Sequence, residues 1–208
     1  MSELITTRMV VQGPEETIQE IIEINKQPVP TSIRTEHSDG SVDYDQWRMQ
    51  TPEETSALSF WHTVAPKDTD EYYKPSKPQS DGWWDWNPAN WSVKQDAFNV
   101  SSTEGSPYRK EGEIEYEFET YDLPPTRFLI AFSERWPSTV TSIDWINEDT
   151  KEGGVWKFDN GDLRVIKEWG EPESHADFVY MDRLDDCPCA WDFEENWHPD
   201  CPRYDDDE

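Results

Sequence analysis

Long apolar runs, basic side chains and known catalytic signatures are what this chain has least of. No part of its 208 residues is apolar over the roughly 20 positions that a membrane-crossing helix needs. Met1 to Met9 carry no basic stretch followed by an apolar one, so no secretory leader is expected. The 3 cysteines all lie near the C-terminus and do not make a disulfide scaffold, which points to a reducing cytoplasm. Bases number 18 against 46 acids, a formal charge of −28. Such a surplus repels phosphate and anionic lipid, so neither nucleic acid nor membrane is expected as a direct partner, and it attracts basic proteins. There is no Walker A, G-x-S-x-G, H-E-x-x-H or G-x-G-x-x-G pattern. With so many acids, carboxylate pairs arise by chance and none is diagnostic of acid–base chemistry. The chain is therefore not expected to be an enzyme, and no catalytic residue is assigned.

Only 34% of residues are hydrophobic, but 12 are Trp, and large rings bury much area per residue. Periodic apolar segments make a folded core the expectation. Leu4 to Gln12 alternates like a strand, and Pro14-Glu15-Glu16 opens a helix with Ile18, Ile21, Ile22 and Asn25 on one face. Residues 27–56 form a polar insertion, either a loop or a short hairpin. Leu58 to Val64 reads as a strand. Gly82 to Val100 is an aromatic cluster in which Asn87-Pro88 turns into a short helix, and Ser101 to Tyr108 reads as a loop. Glu111 to Tyr121 is the clearest strand. Pro124 and Pro125 begin a helix carrying Phe128, Leu129, Phe132 and Trp136, a strand follows from Thr139 to Ile146, and Asn160-Gly161 closes a terminal hairpin. Two strand–helix–strand halves give an α+β, ferredoxin-like expectation: an antiparallel sheet with two helices on one face, an extra C-terminal hairpin and an acidic tail. The domain is expected over 1–180 and the Cys-containing tail over 181–208.

Phe60-Trp61-His62-Thr63-Val64-Ala65-Pro66, followed by the Trp-rich run from Trp83 to Ala97, resembles the YubB-type ferredoxin-like domain family of phage and plasmid proteins. That family has a strand ending in Pro, a loop, and a stretch reading Asn-Trp-Gly-Thr-Lys-Trp. Asn90, Trp91 and Lys94 match it, whereas Ser92, Val93 and Gln95 depart from it. Pro125 to Trp136 and the Trp136-Pro137 pair resemble the family's second half, so the likeness spans roughly residues 4–169. It implies a ferredoxin-like fold and a mobile-element origin, hence a role in host takeover or counter-defence inside a bacterial cell. It carries over no catalytic residue.

Two constellations carry chemistry. Glu111, Glu113, Glu115, Glu117 and Glu119 occupy alternate positions, so on a strand they share one face while Ile114, Tyr116 and Phe118 share the other. Their spacing of about 6.7 Å is close to that of every second phosphate of one DNA strand, which advances about 3.4 Å per nucleotide. Asp122 extends the sign of the row, and Trp83, Trp84 and Trp86 are candidate aromatic anchors. The bland reading is the solvated face of an antiparallel sheet. The second constellation is Cys187, Cys189, His198 and Cys201, whose C-x-C-x8-H-x2-C spacing offers four ligands to a structural Zn²⁺. The alternative is a set of free thiols in a polar tail.

Together these features predict an acidic inhibitor that binds a basic nucleic-acid-binding host protein as a DNA mimic. The competing expectation is a structural or regulatory module whose acidity serves solubility or high-salt adaptation.

Overall fold

The computed structural model describes residues 3–36, 42–67, 72, 83–147, 149–150 and 152–170. In chain order the elements are β1 (Leu4–Gln12), α1 (Glu15–Asn25), β2 (Pro30–Glu36), β3 (Val42–Met49), α2 (Trp83–Trp91), β4 (Phe98–Ser102), β5 (Glu113–Tyr121), α3 (Thr126–Arg135), β6 (Val140–Asn147), β7 (Gly153–Asp159) and β8 (Asp162–Trp169). Two 3-10 turns, Pro52–Glu54 and Phe60–His62, lie between β3 and α2. This is an α+β architecture. Six strands form one antiparallel sheet in the order β4-β5-β1-β6-β7-β8, and β2 and β3 pair separately. The 27–56 stretch therefore contains a hairpin.

Strand alternation sorts the side chains. In β1, Ile5, Thr7, Met9 and Val11 are buried, and in β5 so are Ile114, Tyr116, Phe118 and Thr120. From α1, Ile18, Ile21 and Ile22 join Met9, Val11, Ile114, Tyr116 and Phe118 in one cluster with Phe128, Leu129 and Phe132 of α3, Ile143 of β6, and Trp156 and Phe158 of β7. Pro14 fixes the start of α1, and Glu15 and Glu16 meet the positive end of its dipole. The hairpin expected at Asn160-Gly161 is present, and φ of 47° and 86° at the two turn residues fits a type I′ turn.

The structure corrects four local expectations. Leu58 to Val64 is not a strand but approaches and forms the Phe60–His62 turn. Side chains take its backbone donors: Asn25 Oδ1 accepts from Ser59 N at 2.9 Å, and Asp96 Oδ1 accepts from Phe60 N at 2.7 Å. A backbone satisfied in this way has no need of a ladder. The Phe60 ring becomes the hub of the core, stacked on Phe128 at 4.1 Å and edge-on to Trp91 and Phe118 at 5.8 Å each. Second, α2 begins before Asn87-Pro88, and Pro88 sits inside it. Asn87 holds that helix through Tyr72 Oη and the Lys94 carbonyl, at 3.1 and 2.9 Å.

Third, β4 occupies part of the stretch read as loop. It is short and interrupted by a register shift between Phe98 and Ser101, with Asn99 at φ 50°. Fourth, β5 begins at Glu113 rather than Glu111. Gly112 adopts φ 75°, and a Cβ there would lie 2.7 Å from the Gly13 carbonyl oxygen, so the chain turns on a glycine before the ladder starts.

Candidate functional site: the outer face of the sheet

With the inward residues of β5 committed to the core, Glu113, Glu115, Glu117 and Glu119 all project from the opposite face. The registers turn that face into a grid. Across one row run Ser101, Glu117, Arg8, Asp144, Val155 and Lys167. The adjacent row runs Glu115, Val10, Ser142, Lys157 and Arg164. Acids thus occupy the β5 side, and cations accumulate towards β8.

The five glutamates have unequal surroundings. Glu115 is engaged by Arg8, whose Nε and Nη2 donate to its two oxygens at 2.6 and 2.5 Å. The same guanidinium lies 3.6 Å from Asp144, and its bond to Glu115 holds its pKa above the usual arginine value despite partial burial. Glu113 accepts from Gln12 Nε2 at 2.7 Å and lies 3.4 Å from Lys110 Nζ. The Gln12 bond is the main reason its carboxyl stays below the ordinary range. Glu119 accepts from Asn99 Nδ2 at 2.7 Å, an amide that leaves its charge in place. Glu117 and Glu111 are exposed and pair with no cation among the described residues. Glu111 lies in the turn before β5, so the strand carries four of the five.

The row is therefore neither buried nor wholly neutralised. One carboxylate is matched by a guanidinium in bidentate geometry, one lies near Lys110, and three have no cation partner among the described residues. Arg8 was not anticipated. Its signal was present as the one base in the alternating segment Leu4 to Gln12, on the strand that turns out to neighbour β5.

The remaining expected site residues lie elsewhere. Asp122, at φ 70°, is paired with Lys94 at 2.8 Å. Trp86 is half-buried between Tyr72 and Trp91, with ring centroids 5.5 and 5.3 Å away, and packs on the core cluster. Trp83 is also half-buried on α2, and the Trp84 side chain lies outside the described residues. Trp86 thus packs with the core cluster beneath the sheet, on the side away from the β5 glutamates. In an apolar-poor chain such rings are needed for packing. Cys187, Cys189, His198 and Cys201 lie outside the described residues. Among the described residues no group of three or more His, Cys, Asp or Glu could hold a metal ion, and no helix is long and apolar enough to cross a membrane.

One further carboxylate stands out by its environment. Asp96 accepts from Ser59 Oγ, Phe60 N and Ala97 N at 2.5, 2.7 and 2.8 Å. The residue as a whole is half-buried, but its carboxylate is desolvated, and this outweighs the three donors to push its pKa up to about 6. Every donor belongs to the chain itself, so Asp96 is a tether for the Phe60 turn. Because the folded state holds this proton more tightly than the unfolded chain, the contribution of Asp96 to stability is full below its unfolded pKa. It is lost as pH rises from about 4 to about 6. Asp96→Asn keeps an acceptor for the two backbone donors and removes the titration. Its stability relative to the unsubstituted protein should rise between pH 4 and pH 7 by on the order of 2–3 kcal/mol. Urea denaturation of both proteins across that range checks this, and parallel pH profiles would contradict it.

No family model matches the sequence, and no curated protein matches it. Among solved structures, the fold is similar to the crystal structure of protein api92 from Yersinia pseudotuberculosis, which bears the family-model name DUF1281. The TM-score is 0.51 with 8% sequence identity, covering 84% of this chain and 99% of that one. At that identity the likeness is one of fold alone.

Proposed function

We propose that this chain works by binding and performs no catalysis: it presents the β5 carboxylates to the basic surface of a nucleic-acid-binding protein and occupies the place of DNA there. The observation that carries the reading is the row Glu111, Glu113, Glu115, Glu117 and Glu119, with Glu117 exposed at its centre and without a salt-bridge partner among the described residues. A partner's Lys and Arg side chains would relieve the mutual repulsion of these groups, and the charge of −28 would steer the encounter. In this reading the fold is a ferredoxin-like β-α-β-β-α-β unit made of β1, α1, β4, β5, α3 and β6, extended by the β7–β8 hairpin. The similarity of residues 4–169 to YubB-type proteins of phages and plasmids supports a mobile-element setting, with the host cytoplasm as the compartment and a host defence or replication protein as the target. A structural Zn²⁺ on Cys187, Cys189, His198 and Cys201 is part of the same proposal and would leave the binding face unchanged.

The test is retention from bacterial lysate on the immobilised chain. Nucleic-acid-binding proteins should be retained at low salt, released at high salt and displaced by added duplex DNA. Retention insensitive to both salt and DNA would favour the competing reading, a module whose acidity only maintains solubility.

A further inference from the structure

We propose that Tyr108 is the aromatic anchor of the carboxylate face: its ring lies against an arginine side chain of the basic partner, and Glu111 supplies the counter-charge. This rests on the binding reading above and names the partner group that the face selects. The segment between β4 and β5 is built from three consecutive turns. Backbone bonds close them from Ser106 N to the Thr103 carbonyl, from Arg109 N to the Ser106 carbonyl and from Glu113 N to the Lys110 carbonyl, at 3.0, 3.2 and 3.2 Å. The sequence suits each turn. Gly105 and Gly112 stand third in the first and last, both at φ 75°, a conformation that favours glycine. Pro107 stands second in the middle turn, and the Ser106 hydroxyl accepts from Tyr108 N at 3.2 Å. The corner positions of the three turns carry Glu104, Tyr108 and Glu111, an aromatic ring between two acids.

The turns are fastened to both ends of α1. Lys26 pairs with Glu104 at 2.7 Å, and Glu15 accepts from Arg109 Nη2 and from Gly112 N at 2.6 Å each. Arg109 is thereby turned inward, its side chain 15% exposed. Tyr108 beside it is 90% exposed, more than any other large hydrophobic side chain among the described residues. A single exposed aromatic is ordinary on a protein surface. This one has its backbone already fixed by the turn, so binding has only the two side-chain torsions of a tyrosine to order.

Charge decides what the ring meets. Tyr108 and Glu111 are three positions apart, so their Cα atoms lie within about 11 Å of each other. Glu111 pairs with no cation among the described residues, and Lys110 between them lies 3.4 Å from Glu113. A ring beside an unpaired carboxylate suits a guanidinium, which is planar, stacks on aromatic faces and donates in a fork to a carboxylate. The compact, strongly hydrated ammonium of lysine suits it less well. A flat ring next to a negative group is also what single-stranded nucleic acid offers, as base and phosphate, to the arginines that bind it.

The test uses the full chain and two fluorescein-labelled probes, four repeats of Arg-Gly and four repeats of Lys-Gly, followed by anisotropy at physiological salt. The arginine probe should bind more tightly. Tyr108→Ala should weaken it about fivefold and leave the lysine probe within about twofold. The thermal midpoint should not move, and Tyr108→Phe should keep the preference for arginine. Tyr108→Ala without effect on the arginine probe, or with equal losses for both probes, would overturn this inference alone, provided that the Glu111/Glu117/Glu119→Gln change still weakens both. That triple change without effect on either probe would overturn the reading of the face itself, and this inference with it.

Discussion

Phe60→Ala is expected to lower the unfolding free energy by about 3–5 kcal/mol. Phe60 is fully buried, and its ring touches Trp91, Phe118 and Phe128, which come from α2, β5 and α3. Removing it deletes the contact shared by three elements and leaves a void that rigid aromatic neighbours cannot close. That loss is a large part of the 5–15 kcal/mol by which a domain is typically stable. The check is chemical denaturation, with the midpoint falling and the slope unchanged. A loss below about 1 kcal/mol would mean that the cluster repacks and that Phe60 is not its centre.

The second large effect concerns binding. Glu111, Glu117 and Glu119 are the row members without a cationic partner among the described residues, so their carboxylates are the ones free to meet a basic surface. Changing all three to Gln keeps their shape and removes their charge. Affinity for the basic protein retained from lysate should fall about tenfold at low salt, with a thermal midpoint equal to or slightly above that of the unsubstituted chain. Glu115→Gln is the informative contrast. It releases Arg8 from a bidentate pair and leaves the guanidinium to Asp144 alone, so it should cost stability before it costs affinity. Equal affinity losses from the triple change and from Glu115→Gln would mean that the row acts as a diffuse charge, with no role for the order of its members.

Much of this arrangement was legible in the sequence because it depends on local periodicity. The alternation in Leu4 to Gln12 and in Ile114 to Phe118, the Ile18–Ile21–Ile22 face and the Asn160-Gly161 turn each specify an element through neighbours a few residues apart. The Phe60 turn was not legible, because what makes it a turn is Asn25 and Asp96, 34 and 36 residues distant from their backbone partners. The apolar run Leu58 to Val64 imitates a strand until those side chains are in place. The same holds for the site. The facing of the glutamates followed from a period of two, but their partners did not. Arg8 reaches Glu115 across 107 positions, and the burial of Trp86 depends on which side of the sheet α2 covers.

The most direct measurement is the dissociation constant for the retained basic protein as a function of salt, for the unsubstituted chain and for the Glu111/Glu117/Glu119→Gln variant. If the uncompensated carboxylates make the contact, log affinity falls steeply with log salt for the former, and the slope is clearly shallower for the variant. Identical slopes for two equally folded proteins would contradict the account.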